Sequence, residues 1–147
     1  IKKFKSWIIF MFFKKKENKT ENNFLIKICA LLIHAAKIDE NYTNSEEEII
    51  KKTLLELGSN ENELDKTIKE AKIIEENSNQ ILDFTREVKN LAEEKKIKII
   101  EALWSIIYSN ENADIYETNL MRRLAGLLYI DSKTIGDIKN RIQNQKP

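Results

Sequence analysis

The sequence predicts an all-α fold of about seven helices in two internally related helical repeats, preceded by a basic, aromatic N-terminal helix. With only 3 Gly and 1 Pro in 147 residues, the proline being Pro147, there is little to break helices or to build hairpins. From Asn23 onward, apolar residues recur at helical spacing. One short acidic loop also occurs twice. Asp39-Glu40-Asn41-Tyr42-Thr43-Asn44-Ser45-Glu46 returns 71 residues later as Asn110-Glu111-Asn112-Ala113-Asp114-Ile115-Tyr116-Glu117, and Leu32, Ile33, Ile49 and Leu57 are matched by Leu103, Trp104, Leu120 and Leu128. A duplicated helix-loop-helix can bring such loops together about a pseudo-twofold axis, where oxygen donors converge on a cation.

Two regions divide the chain: a basic amphipathic segment and linker over 1–22, and a helical domain over 23–147. The head, Lys2-Lys3-Phe4-Lys5-Ser6-Trp7-Ile8-Ile9-Phe10-Met11-Phe12-Phe13-Lys14-Lys15-Lys16, is unlike the rest. Residues 1–20 hold seven Lys and one acid, a balance of +6 within a net charge of +1, which leaves −5 for the remainder. The apolar run from Trp7 to Phe13 is far shorter than the roughly 20 residues needed to span a bilayer, and it lacks the small-residue cleavage site of a secretory signal. Two readings stand side by side. In one, the aromatic face packs on the domain or on a second copy. In the other, Lys2, Lys3, Lys5, Trp7, Phe10, Phe13, Lys14, Lys15 and Lys16 hold the chain to an anionic membrane surface, each lysine worth about 1 kcal/mol there. Nucleic acid is not expected as a partner, because the basic residues are confined to the head and no base-reading motif follows.

Within the domain, Phe24, Leu25, Ile28, Leu32 and Ala35 mark a first helix ending near Ile38. Thr43-x-x-Glu46 is a capping box that opens the second, which runs through Ile49, Ile50, Leu54 and Leu57 to a stop at Gly58. A third helix from Ser59 or Asn60 to about Asn77 carries Leu64, Ile68, Ala71 and Ile74, with charge on its outer face. Ser78-Asn79 caps a short fourth with Ile81, Leu82, Phe84 and Val88. Ile97, Ile99, Ile100, Leu103, Trp104, Ile106 and Ile107 cover most of the circumference of a fifth, which belongs at the centre of the bundle. Asp114-x-x-Glu117 is a second capping box, before Leu120, Met121, Leu124, Leu127 and Leu128. Asp131 or Ser132 caps the last helix, bearing Ile135, Ile138 and Ile142. A composition 41% hydrophobic and 33% charged suits one soluble domain of this length, not a disordered chain.

Few residues can carry chemistry. Cys29 has no partner for an internal disulfide, which fits a reducing compartment, and it reads as a small core residue. His34 lies in register with Lys27 and reads as a partly exposed surface group. A carboxylate-based hydrolase on Asp39 and Glu46 is the enzymatic alternative, but no nucleophile, phosphate-binding loop or second base accompanies them. The chain is therefore expected not to be an enzyme. As a calcium loop, Asp39, Asn41 and Thr43 stand at the alternating positions of an EF-hand, yet its sixth and twelfth positions are Asn44 and Ile50, and Ile115 and Met121 in the second loop. The carboxylate comes instead at the eighth position, as Glu46 and Glu117. Both acids also suit helix capping, which needs no cation. Capping leaves Asp39 and its counterpart Asn110 unexplained. With the loops adjacent, Asp39, Glu46, Asn110 and Glu117 would form an oxygen-donor cluster for a divalent cation, calcium or zinc, the one cofactor expected.

At these residues the sequence resembles the TerB-like family, comprising the tellurite-resistance TerB proteins and the related N-terminal domain of DjlA-type co-chaperones. The family pattern is an apolar helix ending in Ala-x-x-Asp-Gly, a short turn and a helix with Glu in its first turn, given twice. It is matched by Ala36-Lys37-Ile38-Asp39 with Glu46, and by Tyr108-Ser109-Asn110 followed by Asp114-Ile115-Tyr116-Glu117. Asp83-Phe84-Thr85-Arg86 and Met121-Arg122-Arg123-Leu124-Ala125 resemble the bacterial branch, and the likeness covers residues 24–142. It implies an all-α fold of two related units with a metal site at the acidic positions, and a role in tellurite resistance or general stress response. The family's glycine is Glu40 in one loop and Glu111 in the other, and its second Asp is Asn110, changes that weaken divalent binding. The matched residues include no J domain, so co-chaperone activity is not carried over. The expectation is a non-enzymatic, cytoplasmic module, peripheral at the inner membrane, with a weak cation site. The alternative is a structural interaction module with no metal, whose groove between repeats takes a partner helix.

Overall fold

Residues 23–37, 43–78, 82–86, 88–109 and 115–145 are described by a computed structural model of the chain. The basic head, Asp39 and Asn110 lie outside them. Residues 23–36 are helical (α1). They are followed by α2 (Asn44–Glu56), a 3₁₀ turn (Glu61–Glu63), α3 (Leu64–Asn77) and α4 (Leu82–Thr85). A second 3₁₀ turn (Val88–Asn90), α5 (Glu93–Ser109), α6 (Ile115–Leu127) and α7 (Ser132–Asn144) complete the order. The fold is thus all-α, as the apolar spacing predicts. Among the described residues no helix is long and apolar enough to cross a membrane.

Two helices carry the core. In α1 every residue from 28 to 33 has 0% exposure. In α5, Ile99, Ile100, Ala102, Leu103, Trp104, Ile106 and Ile107 are buried; its first turn, Glu93 to Lys95, is exposed, and beyond it Lys98, Glu101 and Ser105 form a wetter edge. Helix α5 packs against α2 on one side and α7 on the other, while α6 packs on α7 and α4 on α6. The central position expected for α5 is therefore observed. The equal burial of α1 is less evident from its sequence, because Cys29, Ala30, Ala35 and Ala36 contribute small side chains where hydropathy alone gives little signal.

The repeat is visible in the backbone. Asn44 and Glu56 bound α2, and Ile115 and Leu127 bound α6, the same 71-residue displacement that relates the two loops. Burial follows it too: Ile28, Cys29, Leu32, Ile33 and Ala36 answer Ile99, Ile100, Leu103, Trp104 and Ile107, all buried. Both helices also end alike. After α2, the Ser59 N–H donates to the Leu54 carbonyl (2.9 Å) and the Gly58 N–H to that of Leu55 (3.1 Å), with Gly58 at φ 108°. After α6, the Ile130 N–H donates to the Ala125 carbonyl (3.0 Å) and the Tyr129 N–H to that of Gly126 (3.4 Å). This is the paired-bond Schellman termination, whose left-handed residue favours glycine. In the second copy that residue is Tyr129 at φ 55°, a conformation costing an L side chain roughly 1–2 kcal/mol.

Small departures from the sequence pattern have local causes. Asn60 makes no side-chain cap, so the chain takes a 3₁₀ turn before α3 begins at Leu64. Ser78 donates its hydroxyl to Asp83 Oδ2 at 2.7 Å, and the expected fourth helix is divided between α4 and the turn at Val88. Asp131 caps α7 as expected, accepting from the Lys133 N–H at 3.3 Å. Lys139 Nζ lies 5.5 Å from the centre of the buried Trp104 ring, tying α7 to α5 through a cation–π contact.

A Cβ at Gly58 would meet nothing within 4 Å, so only the backbone resists substitution there. Gly58→Ala is expected to cost about 1–2 kcal/mol, read in urea denaturation as a lower midpoint with unchanged slope.

Candidate functional site

The entry to α2 is the best-defined part of the proposed site. Thr43, extended at φ −96° and ψ 163°, accepts the Glu46 N–H at 3.3 Å and donates its hydroxyl to Glu46 Oε1 at 3.0 Å. The Thr43 arm of the expected capping box is thus formed, and the Glu46 side chain reaches back to the Thr43 hydroxyl. Less foreseeable is that the Glu46 side chain has 0% exposure. A carboxylate in the interior requires compensation, by hydrogen bonds, by a positive charge or by a proton. Glu47 beside it is half-buried and faces Lys72 Nζ at 3.6 Å, which links α2 to α3 at this end.

Of the four predicted donors, the structure places one fully. Glu46 is set in the first turn of α2, and Glu117 occupies the equivalent third position of α6, its side chain outside the described set. Asp39 and Asn110 likewise lie outside it. Among the described residues, no group of three His, Cys, Asp or Glu side chains is placed to hold a metal. The donor set is all oxygen, three carboxylates and one amide, which fits a hard cation such as calcium.

A second cluster was not legible from the sequence. Glu75, on the face of α3 expected to be merely solvated, accepts from Lys37 Nζ at 2.8 Å through Oε2 and meets His34 Nδ1 at 3.3 Å through Oε1. Its side chain is only 10% exposed. His34 also leans on Phe84, the ring centres 6.5 Å apart. The end of α1, just before the first acidic loop, is therefore fastened to α3. Separations of 38 and 41 residues put these contacts beyond any local pattern.

Softer metal ligands are engaged elsewhere. His34 is held by Glu75, and Cys29 is fully buried. Burial pushes the Cys29 thiol from its ordinary 9.0 up to about 12, with Lys72 opposing and Glu47 reinforcing the shift. Zinc, which prefers nitrogen and sulfur, has little to bind among these residues. A groove of about 190 Å³ lies between α2, α5 and α7, lined in part by Thr53, Lys98, Ser105 and Ile142. It is smaller than most ligand pockets, and the Arg141–Glu101 pair at 2.6 Å lies at its edge.

Cys29 is expected to resist a maleimide or disulfide reagent at neutral pH in the native chain and to react only on unfolding, followed by mass spectrometry. The stabilisation from keeping this thiol neutral is complete below the ordinary value of 9.0. It is lost as pH rises towards about 12, because the unfolded thiol ionises first.

A family model described as "Tellurite resistance protein TerB" matches residues 25–140. Neither the curated proteins nor the solved structures give a match. The matched span begins in α1 and ends in α7, taking in both acidic loops and the displaced helix pair, and the chain belongs to the TerB family of tellurite-resistance-associated proteins.

Proposed function

We propose that this TerB chain is a non-catalytic stress-response module with a weak divalent-cation site at Asp39, Glu46, Asn110 and Glu117. The complete burial of Glu46 at the start of α2 carries this reading. Capping alone is served equally well by an exposed Glu, whereas a carboxylate withdrawn from water gains from a nearby positive charge. The matching displacement of α6 supports a second Glu in the same helical position. Calcium suits the all-oxygen donors better than zinc, since Cys29 is buried as a neutral thiol. When bound, the cation would offset the crowding of three carboxylates. Thr43 would fix one oxygen of Glu46 and leave the side chain oriented.

The basic head supplies the location. Trp7 to Phe13, flanked by lysines, suits the headgroup region of an anionic membrane, with the TerB domain held on its cytoplasmic side.

Calorimetric titration of the chelator-treated protein with calcium is expected to give measurable heat and a higher melting temperature, by up to about 2.7 kcal/mol of stabilisation at a hundredfold excess over Kd. Both effects should vanish in Glu46→Gln with Asp39→Asn. No heat with calcium or zinc, and a melting temperature indifferent to chelator, would remove the site. Sedimentation with phosphatidylserine vesicles is expected to fall sharply when residues 1–16 are deleted, and binding of the intact chain is expected to weaken as salt is added. Unchanged binding after deletion would exclude the membrane role.

A further inference from the structure

At the opposite end of the second repeat, a cleft, two cations, an exposed aromatic residue and a helical glycine meet at one place. A cleft of about 300 Å³ opens between α4, the Val88–Asn90 turn and the end of α6, lined by Thr85, Arg86, Lys89, Gly126, Leu127 and Tyr129. No carboxylate of the described residues lines it, and neither Arg86 nor Lys89 makes an ion pair among the described residues. Lys37 pairs with Glu75, Lys72 with Glu47 and Arg141 with Glu101, whereas Arg86 and Lys89 both border this one cleft.

The plain alternative is that Arg86 and Lys89 offset the negative end of the α6 dipole. That end is already served. The Leu124, Ala125 and Gly126 carbonyls accept the N–H groups of Leu128, Ile130 and Tyr129. The Leu128 carbonyl accepts the buried ammonium of Lys96 at 2.8 Å. Two further cations are more than this helix end requires.

Two local costs fall on the same wall. Tyr129 stands at φ 55° where the first repeat uses Gly58, and the residue is 74% exposed, so burial does not repay the strain. Gly126 lies inside α6, where glycine lowers helix stability, yet a Cβ there would meet nothing within 4 Å. No crowding within the chain demands that glycine. It leaves bare helix backbone facing an open cleft, next to an aromatic ring kept at the rim. Backbone strain of this kind clusters at ligand contacts.

We infer that this cleft binds a small phosphate monoester bearing a flat base, the chemical class of a mononucleotide. The guanidinium of Arg86 offers a planar fork to phosphate oxygens and Lys89 adds a point charge. The Tyr129 ring supplies a stacking face for the base. A volume of about 300 Å³ is on the scale of a single nucleotide. The site is separate from the acidic loops and does not depend on the cation reading.

The test is a heteronuclear NMR titration of the full chain with AMP, adenosine and inorganic phosphate, backed by melting curves. AMP is expected to saturate and to shift amides in 85–90 and 126–130, with adenosine and phosphate each binding more weakly. Arg86→Gln with Lys89→Gln should weaken AMP roughly tenfold or more while leaving the melting temperature unchanged, since neither cation makes an ion pair among the described residues. Tyr129→Gly should weaken AMP and raise the melting temperature, a combination that a purely structural role would not give. Absence of saturation at millimolar AMP, affinity unaltered in both variants, or phosphate binding as tightly as AMP would each overturn the assignment.

Discussion

Six successive residues of α1, from 28 to 33, have no contact with water, and α5 is buried over nearly its whole circumference. A helix in that situation has no solvated face, so it must be sheathed by others, and its own side chains can carry almost no charge. The rest of the molecule follows from that demand. Helices α2 and α7 flank α5, and α6 and α4 complete the wrapping, each contributing one apolar stripe and turning its polar residues outward. The surplus of small residues in α1, with Cys29, Ala30, Ala35 and Ala36 all buried, fits the same demand, because close-packed neighbours leave little room for bulk.

What is charged within this framework is consequently informative. Lys96 is buried because its ammonium has a carbonyl at the end of α6 to meet. Glu75 is nearly buried because Lys37 and His34 converge on it. Glu46 is wholly buried at a helix start, where amides and the helix dipole favour a negative charge. Each of these groups joins two elements or anchors one terminus. In contrast, Arg86 and Lys89 join nothing among the described residues.

The fold was largely legible from the chain because its signals are local and periodic. The scarcity of Gly and Pro, the Thr43-x-x-Glu46 box, the stop at Gly58, the Asp131 cap and the apolar circumference of α5 each depend on residues within a few positions of one another. The doubled loop gave the register of the repeat, which the bounds of α2 and α6 reproduce. Contacts across 32 to 41 residues, those of Lys96 with Leu128 and of Glu75 with His34, leave no such trace. The candidate cation site was legible as a list of oxygen-bearing residues, and of these the burial of Glu46 is the part the structure adds. That burial had no sequence signal, since a Glu in a capping box is equally compatible with an exposed turn.

The identical closure of α2 and α6 bears on how a doubled chain can diversify. Gly58 and Tyr129 hold the same hydrogen-bonded bend at very different cost, so the architecture tolerates either residue there. One copy can then keep the economical version and act as scaffold, while its twin, released from that conservatism, is free to acquire a specialised rim without endangering the shared body.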